Sequence, residues 1–304
     1  MNKKLLIKVG ENDFKVTGRL LRVARLDGEK YVFPDDPAVI AEALRKARAG
    51  IDLFTFLRPV TETSAQYPFY FETDNLAVLS ISTFDHWWTH QLRSYPRNRA
   101  RQAEKKGVLL REVAFNEELL RGICDIYNEW PIRQGKRFPH YGMKLEQARG
   151  YAGTFPDRSI WIGAFLGEQM IGFAKLVTDE SRTQGCMVHI LSVVQHKDKA
   201  PTNALIAQAV KSCAARGIPN LVYENFTYGN KQGDSLSHFK EVNGFRRVDV
   251  PRYYIPLTSF GALALRLKLH RRIVDQFPEP LIAKLREVRT YWYRLRFRLV
   301  KDVS

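Results

Sequence analysis

The sequence predicts a mixed α/β (α+β) fold: a mixed sheet flanked by helices, preceded by a smaller α/β unit and followed by basic helices. Three observations carry this. From residue 108 to 258, strand-like and helix-like stretches follow one another in the order β-α-α-β-β-β-α-β-α-β. Residues 4–83 are rich in short branched and aromatic runs separated by turn residues. Finally, 45% of the 304 residues are hydrophobic and 26% are charged, enough to bury one large core or two modest ones and too apolar for disorder.

Each element has its own warrant. LLIKV, FKVTGRLLRVARL and EKYVF read as strands, divided by Gly-Glu-Asn-Asp and Asp-Gly-Glu turns. Asp36-Pro37 opens a helix that Gly50 stops. DLFTFLRPV, YPFYFET and LAVLSIS follow as three strand-like segments. Residues 84–107 are helical with a break near Pro96. Six Lys/Arg lie between Arg93 and Lys106 against the single acid Glu104, and such like-charge spacing costs stability unless an anion or solvent compensates. VLLREVAF is a strand, NEELLRGICDIYNEW an amphipathic helix, and MKLEQARGYAGTF a weaker one. SIWIGAFLGEQMIGFAKLVTDE is a hairpin turning at Leu-Gly-Glu-Gln. GCMVHILSVV is a strand, followed by the polar loop QHKDKAPTN and a helix with Leu205, Ile206, Ala209, Val210 and Cys213 on one face. IPNLVYENFTYG is a strand, DSLSHFKEVNGF a short helix and RRVDVPRYYIPLT a closing strand pair. The units this implies are 1–83, a basic helical connector 84–107, a main domain 108–258, and basic amphipathic helices 259–304.

No apolar run approaches the roughly 20 residues that span a bilayer, and no secretory-type segment is visible. Cys124, Cys186 and Cys213 are scattered and odd in number, which argues against a disulfide framework. Cytoplasm is the expected compartment, either free or at the inner face of the membrane. The net charge of +16 implies a polyanionic partner: nucleic acid, an acidic membrane face or a phosphorylated ligand. Residues 259–304 carry eleven Lys/Arg and four Asp/Glu, a net +7, with Tyr291, Trp292, Tyr293 and Phe297 interleaved among arginines. That composition suits an anionic membrane surface or stacking on nucleic acid.

The order and spacing over 108–258 resemble the GNAT acyltransferase superfamily. GEQMIGFAKL is similar to its middle strands, and KEVNGFRRVDVPRYYIPL to its last helix, Gly-Phe turn and closing strands. RARQAEKKGVLLREV and DSLSHFKEVNGF resemble, more narrowly, the FemAB-like branch, which has two GNAT-like units, the first here being a shortened one at 1–83. The helical arm that peptidoglycan-adding members often carry is absent from the sequence. The resemblance implies an acyl or aminoacyl transfer to an amine on a small molecule or peptide, with acyl-CoA or aminoacyl-tRNA as donor and no metal. The alternative is a non-enzymatic RNA- or membrane-binding protein on a degenerate scaffold of this kind.

The resemblance also implies a donor loop where the family has a glycine-rich turn. Here Gln195 holds the first position, and Lys199, Ala200 and Pro201 replace the permissive residues. A backbone cradle for phosphate is therefore weakened, and His196, Lys197 and Lys199 would supply charge in its place, with Thr202 and Asn203 opening the helix. The strand backbone at Ser192–Val194 is the expected carbonyl contact. Glu224, a carboxylate in an apolar strand, is the first choice for base or substrate anchor, with a structural ion pair as the alternative. Tyr228 stands where the family has its general acid. His189 is a further candidate, although a lone strand histidine is more often a core residue. Arg133, Lys136, Arg137, His140 and Tyr141 form a dense polar loop expected to bind the acceptor.

Overall fold

A computed structural model describes residues 5–47, 49–133, 136–227 and 235–271, with Lys136 described by its backbone alone. In chain order the elements are β1 Leu5–Val9, β2 Asn12–Thr17, β3 Val23–Leu26, α1 Pro37–Lys46, β4 Leu53–Phe56 and β5 Tyr70–Ser80. Then come α2 Phe84–His86, which runs into a π-helical turn at Trp87–Gln91, and α3 Ser94–Lys105. The rest is β6 Val108–Val113, α4 Glu117–Asn128, the short hairpin β7 Ile132–Arg133 and β8 Lys136–Arg137, α5 Leu145–Ala152, β9 Ser159–Leu166, β10 Gln169–Thr178 and β11 Gly185–Ser192. After these follow α6 Pro201–Ala215, β12 Asn220–Asn225, α7 Ser235–Val242, β13 Arg246–Pro256 and α8 Ser259–Arg266.

Eleven strands make one mixed sheet in the order β1-β2-β3-β4-β13-β5-β12-β11-β10-β9-β6. Only β3–β4 and β11–β12 are parallel. The sheet crosses residue 83 by interleaving: β5, from the N-terminal segment, lies between β12 and β13. It pairs with β12 through Leu76–Ser80 and with β13 through Tyr70–Val78. A small cluster of Leu57, Val60, Leu76, Val78, Cys186, Val222 and Val250 packs across this junction. On one side of it, Phe14, Phe54, Phe56 and Tyr253 pack under α1. On the other, α4 and α6 cover β9 and β10 in the largest cluster. Gly122 lets α4 approach closely, since a Cβ there would lie 2.4 Å from the Met170 side chain.

Several elements differ from the sequence reading, each for a physical reason. EKYVF is not a strand: residues 29–31 form a turn and 32–33 are irregular, and the Lys30 carbonyl accepts from Gln184 Nε2 at 2.6 Å and from the Cys186 thiol at 3.1 Å. YPFYFET and LAVLSIS are one strand, because β13 pairs continuously across Asp74 and Asn75. The closing pair is likewise one strand, β13. Its Pro251 sits where β5 is the only partner, since β4 joins from Tyr253, and proline's missing N–H is tolerated there. The helical break falls at Leu92–Arg93 rather than at Pro96, which lies in the first turn of α3, where its N–H would be unpaired anyway. Arg97 holds the break by donating to the Leu92 carbonyl at 2.6 Å. Trp87, 1% exposed, donates to the Asn243 carbonyl at 3.0 Å, and Gly244 beside it has φ +91, a conformation that favours glycine.

Candidate active site

β11 and β12 run parallel for only two residue pairs, Gly185↔Leu221 and Cys186↔Val222, and then part. Beyond that point β12 bulges against β5 between Val222 and Asn225. Glu224 sits on the bulge at φ +55, a strained setting for a residue with a side chain, of order 1–3 kcal/mol. The surroundings hold it there. Asn75 accepts from the Phe226 N–H on its carbonyl at 3.3 Å and from the Thr227 N–H on its side chain at 2.7 Å, and Lys240 Nζ donates to the Asn225 carbonyl. A bulge re-aims its side chain, and here it delivers Glu224 to Lys30 as an ion pair.

That pair is the outer end of a buried network. Lys30 Nζ also donates to Asn225 Oδ1 at 3.1 Å, and Asn225 Nδ2 donates to Asp74 Oδ1 at 2.6 Å. Arg252 joins Asp74 at 2.9 Å to Glu29 at 2.6 Å. Burial alone would push the Glu29 carboxyl up, but Arg252 and Arg25 overcome it and hold it at about 2. The Glu224 side chain is 42% exposed and that of Lys30 13%, so the carboxylate is the accessible member. Burial and Glu224 together push the Tyr151 phenol up, and they take that of Tyr223 to about 12. Both phenols therefore stay protonated near neutrality.

His189 lies on β11 opposite Lys175 of β10. Its ring packs 4.9 Å from Tyr151, 6.2 Å from Phe173 and 6.5 Å from His140. Burial, with Lys175 and His140, pushes it down to about 3, so the imidazole is neutral near pH 7. Lys175 is itself 1% exposed and pushed down to about 8 by burial. It donates to the Thr154 carbonyl and to its hydroxyl at 3.0 Å, and lies 5.4 Å from the Trp161 ring. The folded chain thus binds fewer protons at His189 than the unfolded chain does. The stability this contributes is present above pH 6.5 and is lost as pH falls towards about 3. His189→Phe is expected to flatten that part of the melting-temperature profile, as read by calorimetry from pH 7 to 4.

The donor loop keeps the bend of a glycine turn without the glycine: Ala200 has φ +54 and caps α6, with Pro201 as first helical residue. Val193 N–H donates to the Ile171 carbonyl at 2.9 Å. Val194 and Gln195 N–H donate to the Glu129 carboxylate at 2.7 and 2.9 Å. Ser192 Oγ meets Thr202 Oγ1 at 2.9 Å, and Asn203 N–H donates to the Ala200 carbonyl at 3.2 Å. Lys197 is exposed; His196 and Lys199 are half-buried, and Lys199 lies 3.7 Å from Asp198. The basic connector braces this loop. Arg99 donates to the Lys197 carbonyl at 3.1 Å, and Lys106 pairs with Asp198 at 3.0 Å.

In the 131–142 loop, Arg133 is largely spent inside. It donates to the Ser192 carbonyl at 2.7 Å, the Ile126 carbonyl at 2.6 Å and Glu129 at 3.0 Å. His140 stacks 4.7 Å from Tyr127 and 4.6 Å from Tyr151. Arg137 and Tyr141 are exposed. Asn128 fastens the loop, accepting from Gly142 N–H at 2.6 Å and donating to the Met143 carbonyl at 3.1 Å. Tyr228 lies outside the described residues, as do residues 272–304 and the side chain of Lys136.

No family model matches the chain, and no curated protein matches it. Solved structures match its backbone. L-PGS from Bacillus licheniformis is 16% identical, with 88% of this chain and 90% of that one covered and a TM-score of 0.59. The C-terminal domain of a candidate lysylphosphatidylglycerol synthetase from Agrobacterium fabrum is 13% identical over 87% and 88%, at 0.55. FemX is 9% identical over 87% and 90%, at 0.52. The fold is GNAT-like and FemAB-like. β11 and β12 are the two strands that the sequence resemblance expects to splay, and their pairing stops after Cys186↔Val222.

Around the splay the structure packs His189 and His140 against Tyr151, with Glu224 on the β12 bulge, and ties Arg133 to the strand end at Ser192. Arg137, Tyr141, Lys197 and Lys199 are not drawn into the splay by any contact. Sequence reasoning missed Lys30, Tyr151, Lys175 and Glu129. Lys175 was visible as the one charge within MIGFAKLV, a run buried on both faces. Lys30 had no local signal, since its partner lies 194 residues away, and the only local trace of Glu129 is its i,i+4 spacing to Arg133, the loop it meets lying 65 residues on.

Proposed function

We propose that the chain transfers an acyl group, with aminoacyl-tRNA as the donor, to an amine held in the cleft where β11 and β12 part. The observation that carries this is Glu224, aimed by the bulge at the mouth of the splay and poised beside Lys30. The amine nitrogen attacks the ester carbonyl. Its C–N bond forms, the C–O bond to the ribose breaks, and Glu224 takes the amine proton. Tyr228, the acid that the resemblance implies, gives its proton to the departing ribose oxygen, and the proton held on Glu224 returns to the Tyr228 oxygen, so that one proton passes in total from amine to ribose. His189 acts as a neutral wall of the cleft, since burial opposes its charging.

The net charge of +16 favours a polyanion as donor over a single coenzyme. Lys197 and Lys199 flank the start of α6 in the manner of a side-chain grip, with His196, Thr202 and Asn203 beside them. The exposed Phe260, Leu263, Leu267 and Leu269, beside Arg266, Lys268 and Arg271, suit a membrane-face location for the acceptor, through the segment that continues to 304. Arg137, Tyr141 and Lys136 are the acceptor-side residues of this reading.

The test is a titration of aminoacyl-tRNA and acetyl-CoA at several salt concentrations, on wild type and on Lys197→Ala/Lys199→Ala. Aminoacyl-tRNA should bind with a steep log–log salt slope. The double variant should lower that slope by roughly 1.5, about the two phosphate contacts removed. An unchanged slope removes the lysines from the donor site, and no tRNA binding at low salt removes the donor assignment.

A further inference from the structure

Val194 ends the strand backbone expected to contact the donor carbonyl, Gln195 begins the loop expected to hold donor phosphate, and their two N–H groups converge on one carboxylate, that of Glu129. Arg133 completes the set, with Nη2 3.0 Å from Glu129 Oε2. Two adjacent backbone N–H groups and a guanidinium are the donors that a phosphate takes. We infer that Glu129 is an internal anion seated where the loop backbone would grip a pyrophosphate, and that it selects against coenzyme donors of the CoA type.

The seat is well protected. Glu129 stands just past α4, and its side chain is 19% exposed, that of Arg133 11%, so bulk salt screens the contact weakly. Its approach is hostile to polyphosphate. The groove leading to Val193 and Gln195, about 850 Å³, is lined by six carboxylates, Glu129 among them, against two arginines, Arg111 and Arg121. Arg133 binds the seat to the strand end by holding the Ser192 carbonyl at 2.7 Å. A donor on this loop therefore meets the side chains of Lys197 and Lys199 instead of the first two N–H groups. The inference rests on the transferase reading only for its bearing on donor choice, because the seat itself is tested by binding.

The test is calorimetric titration of inorganic pyrophosphate and of CoA into the full chain. Wild type should bind both no tighter than about 1 mM. Glu129→Ala exposes two N–H groups beside an arginine, and should bind both roughly 30-fold tighter. Glu129→Gln removes the charge but keeps an acceptor, so it should gain roughly fivefold and remain folded if the alanine variant does not. Adding Arg133→Ala to Glu129→Ala should return most of the gain. Micromolar CoA binding by wild type, or no gain in a folded Glu129→Gln, overturns the inference. A wild type that binds no aminoacyl-tRNA defeats the transferase reading and leaves this result standing.

Discussion

Glu224→Gln should abolish most transfer while leaving the fold in place: turnover falls by about 10²–10⁴, the range that a positioned base contributes. The substitution keeps the shape and removes only the proton acceptor. Its stability cost should be about 1 kcal/mol or less, because the carboxylate is 42% exposed and its pair with Lys30 is discounted by solvent. Lys30→Met separates a catalytic role from a structural one. It breaks the same ion pair but leaves the carboxylate, so turnover should fall by less than about tenfold. Equal losses in the two variants would make the pair structural. Full turnover in Glu224→Gln would remove Glu224 from the chemistry.

The largest stability effect is expected at Arg252. It joins Glu29 at 2.6 Å to Asp74 at 2.9 Å, with all three side chains 17% exposed or less. Arg252→Met strands two carboxylates and should cost about 3–5 kcal/mol, the typical penalty for breaking a buried pair on one side. The damage should travel, because Asp74 also holds Asn225, whose neighbour is Glu224. The same network sets the acid limb of stability. Glu29 is held at about 2 against an ordinary 4.5, so its contribution is complete above pH 4.5 and is lost as pH falls through about 2. Glu29→Gln, made in a His189→Phe background so that the imidazole adds nothing to the same window, should remove that slope between pH 4.5 and 2 in denaturant melts. A wild-type slope that survives the substitution would place the acid sensitivity elsewhere.

Much of the fold was legible because its signals are local. The Gly167-Glu168 turn fixes the β9–β10 hairpin, Asp36 caps α1, and Pro201 begins α6. The interleaving of β5 between β12 and β13 was not, because strand pairing at long range leaves no periodic trace in either strand. The EKYVF reading failed for a related reason. Tyr31 packs against the cluster holding Cys186 and Val32 against that holding Phe14 and Phe54, both partly buried without ladder bonds of their own. The candidate site was legible where a charge interrupts an apolar strand, as at Glu224. It was illegible where function depends on a helix end reaching back to a loop, as with Glu129 and the N–H groups of Val194 and Gln195.

Acyl transfer at the β11–β12 splay can be read out with a labelled donor. Purified protein is incubated with a membrane and small-molecule extract and either a tRNA pool charged with ¹⁴C-amino acids or ¹⁴C-acetyl-CoA. Product is scored as label that resists hydroxylamine, which cleaves esters and spares amides. Wild type should move label from tRNA into hydroxylamine-resistant product, and Glu224→Gln should not. Label that moves equally with both proteins, or from neither donor with wild type, would contradict it.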